Sequence, residues 1–188
     1  MRRGFKTEAE AIALELRGEM DLGPHERIDC VELAAHLAIE VVPVTALIGA
    51  GATADDVNCM VSDEMGFSAM TVYRRTKCKI FYNPFHPATR TANSVAHEIS
   101  HVVLEHEPGP VLTAKGTRFW NQTQEEEADW LAGAILVPRE GALRVLASGG
   151  SMTDGADHFG VSAQLFGWRA NHTGVVAQLR RRAAWKSR

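Results

Sequence analysis

From Thr7 to Met20 the apolar positions Ala9, Ile12, Ala13 and Leu16 recur at helical spacing, with Thr7 and Glu10 placed as a capping box, and Gly23-Pro24 breaks the run. Asp29 is positioned to cap a second helix over Cys30 to Leu37, with Val31, Leu33, Ala34 and Leu37 inward. Ile39 to Val44 is a β-branched run that predicts a strand, and the Gly- and Ala-rich stretch Thr45 to Asp56 predicts a loop. Three short strands are expected next, at Val57 to Val61, Phe67 to Tyr73 and Lys79 to Tyr82. Polar turns separate them in the manner of an antiparallel meander. Helical periodicity resumes after Pro87, a residue suited to a first turn, and runs from Ala88 to Glu107 until Pro108-Gly109-Pro110 stops it. Val111 to Asn121 reads as a loop or broken segment. A second long helix, Gln122 to Val137, carries the stripe Ala128, Leu131, Ala132, Ile135 and Leu136, and Pro138 closes it. Glu140 to Ser148 predicts a short helix, and Thr153 to Trp185 two more around Gly160-Val161-Ser162. Helices, then a small sheet, then helices make an α+β chain. The expected architecture is a small antiparallel sheet of three to four strands packed against a helical core, with a C-terminal helical cap. Residues 1–138 would form the core, and 139–188 a helical segment with a basic tail in the same domain.

Composition narrows this picture without redirecting it. The 188 residues suffice for one domain that buries about 70% of its unfolded surface. A net charge of −3 argues against a dedicated nucleic-acid binder. Arg180, Arg181, Arg182, Lys186 and Arg188 cluster near the end and read as a solvated helix terminus. Cys30, Cys59 and Cys78 form no C-x-x-C, so neither a disulfide framework nor thiolate zinc ligation is expected, and a reducing cytoplasm is the expected compartment. The N-terminal stretch lacks the apolar core of a signal peptide, and no run approaches the ~20 apolar residues of a membrane span.

Chemistry concentrates in Ser94 to Glu107. There His97-Glu98-Ile99-Ser100-His101 forms an H-E-x-x-H. Residues four apart share a helix face, so the two imidazoles can hold one metal ion while Glu98 reaches a water beside it. A motif this short arises by chance in roughly three chains of a hundred of this composition, so a third ligand has to be found. The best source is Glu125-Glu126-Glu127-Ala128-Asp129 at the start of the next long helix. An acidic first turn also favours the helix dipole without any ligand. However, Glu125 and Asp129 share a face, and Ala128 and Ala132 leave room for a neighbouring helix. A Glu there could complete a His-His-Glu set. Asp129 could accept a hydrogen bond from the outer nitrogen of a ligand histidine. His106, nine residues after His97, would point roughly 180° away on an ideal helix and so lie outside the chemistry.

The E-x-x-A-D pattern is that of the glutamate-zincin group. With Ala96 to His101, Tyr82-Asn83, Ala132, Ile135-Leu136-Val137-Pro138 and Phe159-Gly160-Val161-Ser162 followed by Trp168-Arg169, the chain resembles the ImmA/IrrE-type metallopeptidases. The resemblance covers most of residues 7–175 and is firmest over 80–138. Asp129 and Trp130-Leu131 stand where the family usually has Asn and Phe. The resemblance implies a zincin-like core and a Zn²⁺ ion held by His97, His101 and Glu125, with Glu98 as general base. It also implies a protein substrate, a helix-turn-helix repressor whose cleavage releases phage, mobile-element or stress genes. Tyr82, His158, Arg169 and His172 are candidate donors to the developing oxyanion. The Phe159 to Ser162 segment has helix-turn-helix spacing but equally that of a helical cap, and the net charge argues against direct DNA binding. Three alternatives stand beside peptidase action: a zinc-containing regulatory or toxin-like protein that only binds a partner, a structural zinc protein, and chance.

Overall fold

The computed structural model describes residues 1–62, 66–75, 77–107 and 121–186. Helix α1 (Phe5–Glu19) presents Phe5, Ala9, Ala13 and Leu16 to the core. Its N-cap is Gly4 in the left-handed region, not a Thr7–Glu10 box. Glu10 instead meets Arg169 and the Arg139 N–H. Asp29 caps α2 (Cys30–His36) by accepting from the Val31 and Glu32 N–H groups, as expected, although Val31 itself is half exposed.

The sheet differs from the expected meander. Strand β1 (Glu40–Pro43) is followed by a 3₁₀ turn (Val44–Ala50) and then by a helix, α3 (Ala54–Val61), where a strand was expected. Thr53 and Asp56 make a full capping box, and Val57 is the one buried residue of α3. The β-branched content of Val57 to Val61 lost to that cap, because the spacing of Val57, Met60 and Val61 is also helical. Strands β2 (Ala69–Arg74) and β3 (Lys77–Tyr82) form an antiparallel hairpin that turns at Arg75, which has positive φ. Strand β1 joins the other side of β3 in parallel, Val41 opposite Ile80, giving the order β1-β3-β2. The described sheet is thus three-stranded and mixed. The crossover through α3 returns the chain to the far edge, which a simple meander cannot do.

Helix α4 (Ala88–Val103) packs on β2, β3 and α2, and pairs most extensively with α5 (Gln122–Leu136); α1 covers α5 from the other side. Val95, Ala96 and Ile99 meet Leu131, Ala132 and Ile135 in the same buried cluster. Helix α4 stops at Val103, short of the expected Glu107; the expected stop at Pro108-Gly109-Pro110 and the loop before Asn121 lie outside the described residues. After α5 come α6 (Arg139–Ala147), α7 (Met152–Phe159), α8 (Ala163–His172) and α9 (Val175–Lys186), three helices where two were expected after residue 152. Helix α8 reaches back to α5, with Trp168 edge-on to Trp130 at 5.1 Å between ring centroids. Among the described residues no helix is long and apolar enough to cross a membrane.

Candidate metal centre

His97, Glu98 and His101 of α4 and the first turn of α5 build the centre. Buried Ala96 and Ile99 anchor α4 in the core, so the intervening His97 and Glu98, with His101 one turn on, emerge along the edge of the α4–α5 seam. Asn121 caps α5 by accepting from the Thr123 and Gln124 N–H groups, which sets where the three glutamates fall. At 3.6 residues per turn consecutive side chains fan apart. Glu125 turns to the histidines, Glu126 lies exposed against Gln122, and Glu127 is buried against Arg2.

Three donor atoms converge. His97 Nε2 and His101 Nε2 are 3.0 Å apart, and Glu125 Oε2 lies 3.3 Å from the first and 3.8 Å from the second. A tetrahedral ion with ligand bonds of ~2.1 Å separates its ligand atoms by ~3.4 Å, and the three distances bracket that value. The set of two imidazoles and one carboxylate also suits a borderline-soft dication. The His97–His101–Glu125 group could therefore hold a metal. The outer nitrogen of His97, Nδ1, lies 2.8 Å from Asp129 Oδ1, although Asp129 is otherwise 69% exposed.

The electrostatics describe a cluster arranged around a positive charge. Burial works against the charged form of His97, but hydrogen bonds to Asp129 and Glu125 outweigh it and raise its pKa to about 9. Hydrogen bonds from His101 and His97 hold the Glu125 carboxyl far below the usual carboxylate range. In the metal-free chain a proton on His97 supplies the cation that the two carboxylates favour.

Glu98 opens into a cavity of about 460 Å³ that it shares with His97, Glu125, Asp129 and the Gly66 to Ala69 segment. Thr71 of β2 donates its hydroxyl to Glu98 Oε2 at 2.6 Å. Asn83, fully buried at the end of β3, shapes the cavity rim. Its Nδ2 donates to the Phe67 carbonyl, its Oδ1 accepts from the Phe85 N–H, and its own N–H donates to the Ser68 carbonyl. Neither Thr71 nor the contacts of Asn83 were visible in the sequence. A lone Thr in a strand and an Asn before a Pro carry no pattern that names a partner.

The candidate oxyanion donors fall elsewhere. Arg169 is fully buried and bonds the Val137 carbonyl and Glu10. His158 meets the His25 carbonyl beside a separate surface cavity, and His172 meets the Trp168 carbonyl one turn back on α8. Tyr82 sits in the sheet between Pro43 and Ala69. None of the four lines the Glu98 cavity.

His106 is also misplaced by ideal-helix reasoning, in the other direction. The helix ends at Val103 with Leu104 as its C-cap, and Glu105 takes a left-handed φ of 50°. The His106 N–H then bonds the His101 carbonyl at 3.0 Å and the Glu105 N–H bonds the Val102 carbonyl at 3.1 Å, the paired bonds of a Schellman close. The reversal lays the His106 ring on His101, with Nδ1 to Nδ1 at 2.9 Å.

The model of peptidase family M78, described as an IrrE N-terminal-like domain, matches residues 57–171, which include His97, Glu98, His101, Glu125 and Asp129. No curated protein matches the chain.

Proposed function

Because the chain belongs to the M78 peptidase family of IrrE N-terminal-like domains, we propose that it is a zinc-dependent endopeptidase using His97, His101 and Glu125 as ligands and Glu98 as general base. The observation that carries this reading is the convergence of the three donor atoms within 3.0–3.8 Å beside a carboxylate that opens into the same cavity. When bound, zinc would supply Lewis acidity toward a peptide carbonyl and lower the pKa of an adjacent water toward ~7. The chain's own residues do the rest. Glu98 accepts the proton of the attacking water and delivers a proton to the leaving amine nitrogen. The Thr71 hydroxyl holds one Glu98 oxygen, which leaves the other for the water. Asp129 keeps the His97 proton on Nδ1, so that the Nε2 lone pair points inward.

The proposed substrate is a helix-turn-helix transcriptional repressor, with regulation of phage, mobile-element or stress genes as the outcome and the cytoplasm as the place. The likeness of residues 80–138 to ImmA/IrrE-type enzymes supports this. The test pairs wild type with Glu98→Gln. Both are assayed for zinc and incubated with the helix-turn-helix regulator encoded nearest to this chain's gene, with fragments read by mass spectrometry. Both should carry close to one zinc per chain, and cleavage by the variant should fall at least ~100-fold. Wild-type cleavage by Glu98→Gln removes Glu98 as the base. A stable complex with the regulator and no fragments from zinc-loaded wild type replaces proteolysis with partner binding alone.

A further inference from the structure

The two ligand histidines are held from behind by different partners. For His97 the partner is Asp129, on the next helix. For His101 it is His106, five residues later on the same chain, brought back by the left-handed turn at Glu105. The rings are 5.0 Å apart between centroids and inclined at 68°, so one ring edge faces the other nitrogen to nitrogen.

Resting on the metal-centre reading above, we propose that His106 is a positioning residue for His101, and that Glu127 in turn orients His106. Two Nδ1 atoms at 2.9 Å can form a hydrogen bond only if one of them carries the proton. A ligand His101 must keep its Nε2 lone pair free, so its single ring proton sits on Nδ1 and is donated to His106 Nδ1. His106 Nδ1 is therefore the acceptor, and its own proton sits on Nε2. That Nε2 is buried without a hydrogen-bond partner among the described residues, and it faces Glu127 Oε2 at 3.7 Å. Glu127 is itself nearly fully buried and pinned by Arg2, whose backbone N–H donates to Oε1 at 2.9 Å and whose Nε lies 3.4 Å away. Each of the two rings has one compatible tautomer, and the direction of donation runs outward from His101 through His106 toward an anion. The third glutamate of the Glu125 to Glu127 run therefore has a task of its own. Glu125 faces the metal position from inside, and Glu127 faces the same position from two side chains behind.

Zinc affinity measured by chelator competition tests this, together with ¹⁵N imidazole spectra of the zinc-loaded chain. His106→Leu keeps bulk but removes the acceptor and should weaken zinc binding 10- to 100-fold, the range for lost outer partners of ligand histidines. In His106→Asn the side-chain carbonyl can stand where Nδ1 stood, and it should recover most of that loss. In wild type the His101 ring should report its proton on Nδ1 and the His106 ring its proton on Nε2, an observation that needs no variant to fold. Unchanged zinc affinity in His106→Leu, Asn no better than Leu, or the opposite His106 tautomer overturns the proposal. His101→Ala separates the two levels. If it binds zinc as wild type does, the metal-centre reading fails. If it loses zinc while His106→Leu does not, only the role of His106 fails.

Discussion

Helix α5 handles charge in opposite ways at its two ends. At the C-terminal end the orphan carbonyls of the last turn are met by two fully buried arginines. Arg17 Nε and Nη2 donate to the Ile135 carbonyl, Nη2 also reaches Leu136, and Nη1 donates to the Gly23 and Glu26 carbonyls. Arg169 donates to the Val137 carbonyl and pairs with Glu10. The approach is close enough that a Cβ at Gly133 would stand 2.8 Å from Arg169 Cδ. At the N-terminal end, Glu125 and the two histidines converge on one another with their lone pairs aimed at a shared point. Buried cations meeting carbonyls at a helix C-terminus form a closed arrangement, in which the carbonyls find donors and the helix dipole is favoured. Three acceptors converging on one point form an open arrangement, since they favour a cation that the side chains do not supply except as a proton on His97. The difference explains why Arg169, buried and charged, belongs to the fold, whereas Glu125, at the edge of a cavity, belongs to the centre.

The contrast can be broken most sharply at Glu125. Glu125→Ala should lower zinc affinity by more than ~100-fold, beyond what loss of an outer partner costs, while Glu126→Ala, which alters an exposed side chain, should leave it unchanged. Zinc lost from the second variant and kept by the first would move the ligand along the helix. The open end should also respond to pH. His97 holds its proton up to about 9 in the metal-free chain, and a metal must displace it. Zinc affinity should therefore fall about tenfold per pH unit below that point, in chelator-buffered titrations. For the metal-free fold the sign differs. The raised His97 value stabilises it fully below ~6.5, and that contribution is lost as pH rises through about 9. The lowered Glu125 value stabilises it above ~4.5, and that contribution is lost as pH falls through its depressed range. Affinity independent of pH between 6.5 and 9 would show that no proton is displaced from His97.

The closed end should respond in stability instead. Arg17→Ala leaves several buried carbonyls without a donor and should cost about 3 kcal/mol in urea unfolding, with zinc stoichiometry unchanged in the folded fraction. Arg17→Lys should recover only part, because an ammonium cannot span the same fork of acceptors. A loss of zinc at constant stability would mean that the two ends are coupled. The smallest expected effect is at Thr71. Thr71→Val removes one hydrogen bond to Glu98 and should slow cleavage about 5-fold without touching zinc affinity; an unchanged rate would leave Thr71 a purely structural contact.

Much of this organisation is legible in the amino-acid sequence. The apolar stripes located α1, α2, α4 and α5 within a few residues, and the spacing of His97, Glu98 and His101 by itself put two imidazoles and a carboxylate on one turn. The E-x-x-A-D pattern singled out Glu125 and Asp129, which the fold does bring to His97. What could not be read depended on competition between local signals or on distant partners. Val57 to Val61 satisfies both strand and helix patterns, and only the Thr53–Asp56 cap decides between them. The parallel pairing of β1 with β3 depends on where the chain re-enters the sheet, which no local run encodes.

The clearest division falls on His106 and Arg169. Sequence spacing determined that His97 and His101 share a face, because an α-helix of any protein enforces it. It could not determine where that helix ends. Glu105 carries a Cβ and gives no sign of the left-handed turn that folds His106 onto His101. Nor could it show that a charged Arg169 lies in the core, because its partners there, the Val137 carbonyl and the Glu10 carboxylate, come from segments more than thirty residues earlier. Local periodicity is a property of the backbone and travels with the sequence. The pairing of polar groups is a property of the assembled interior, and it exists only once the helices have met.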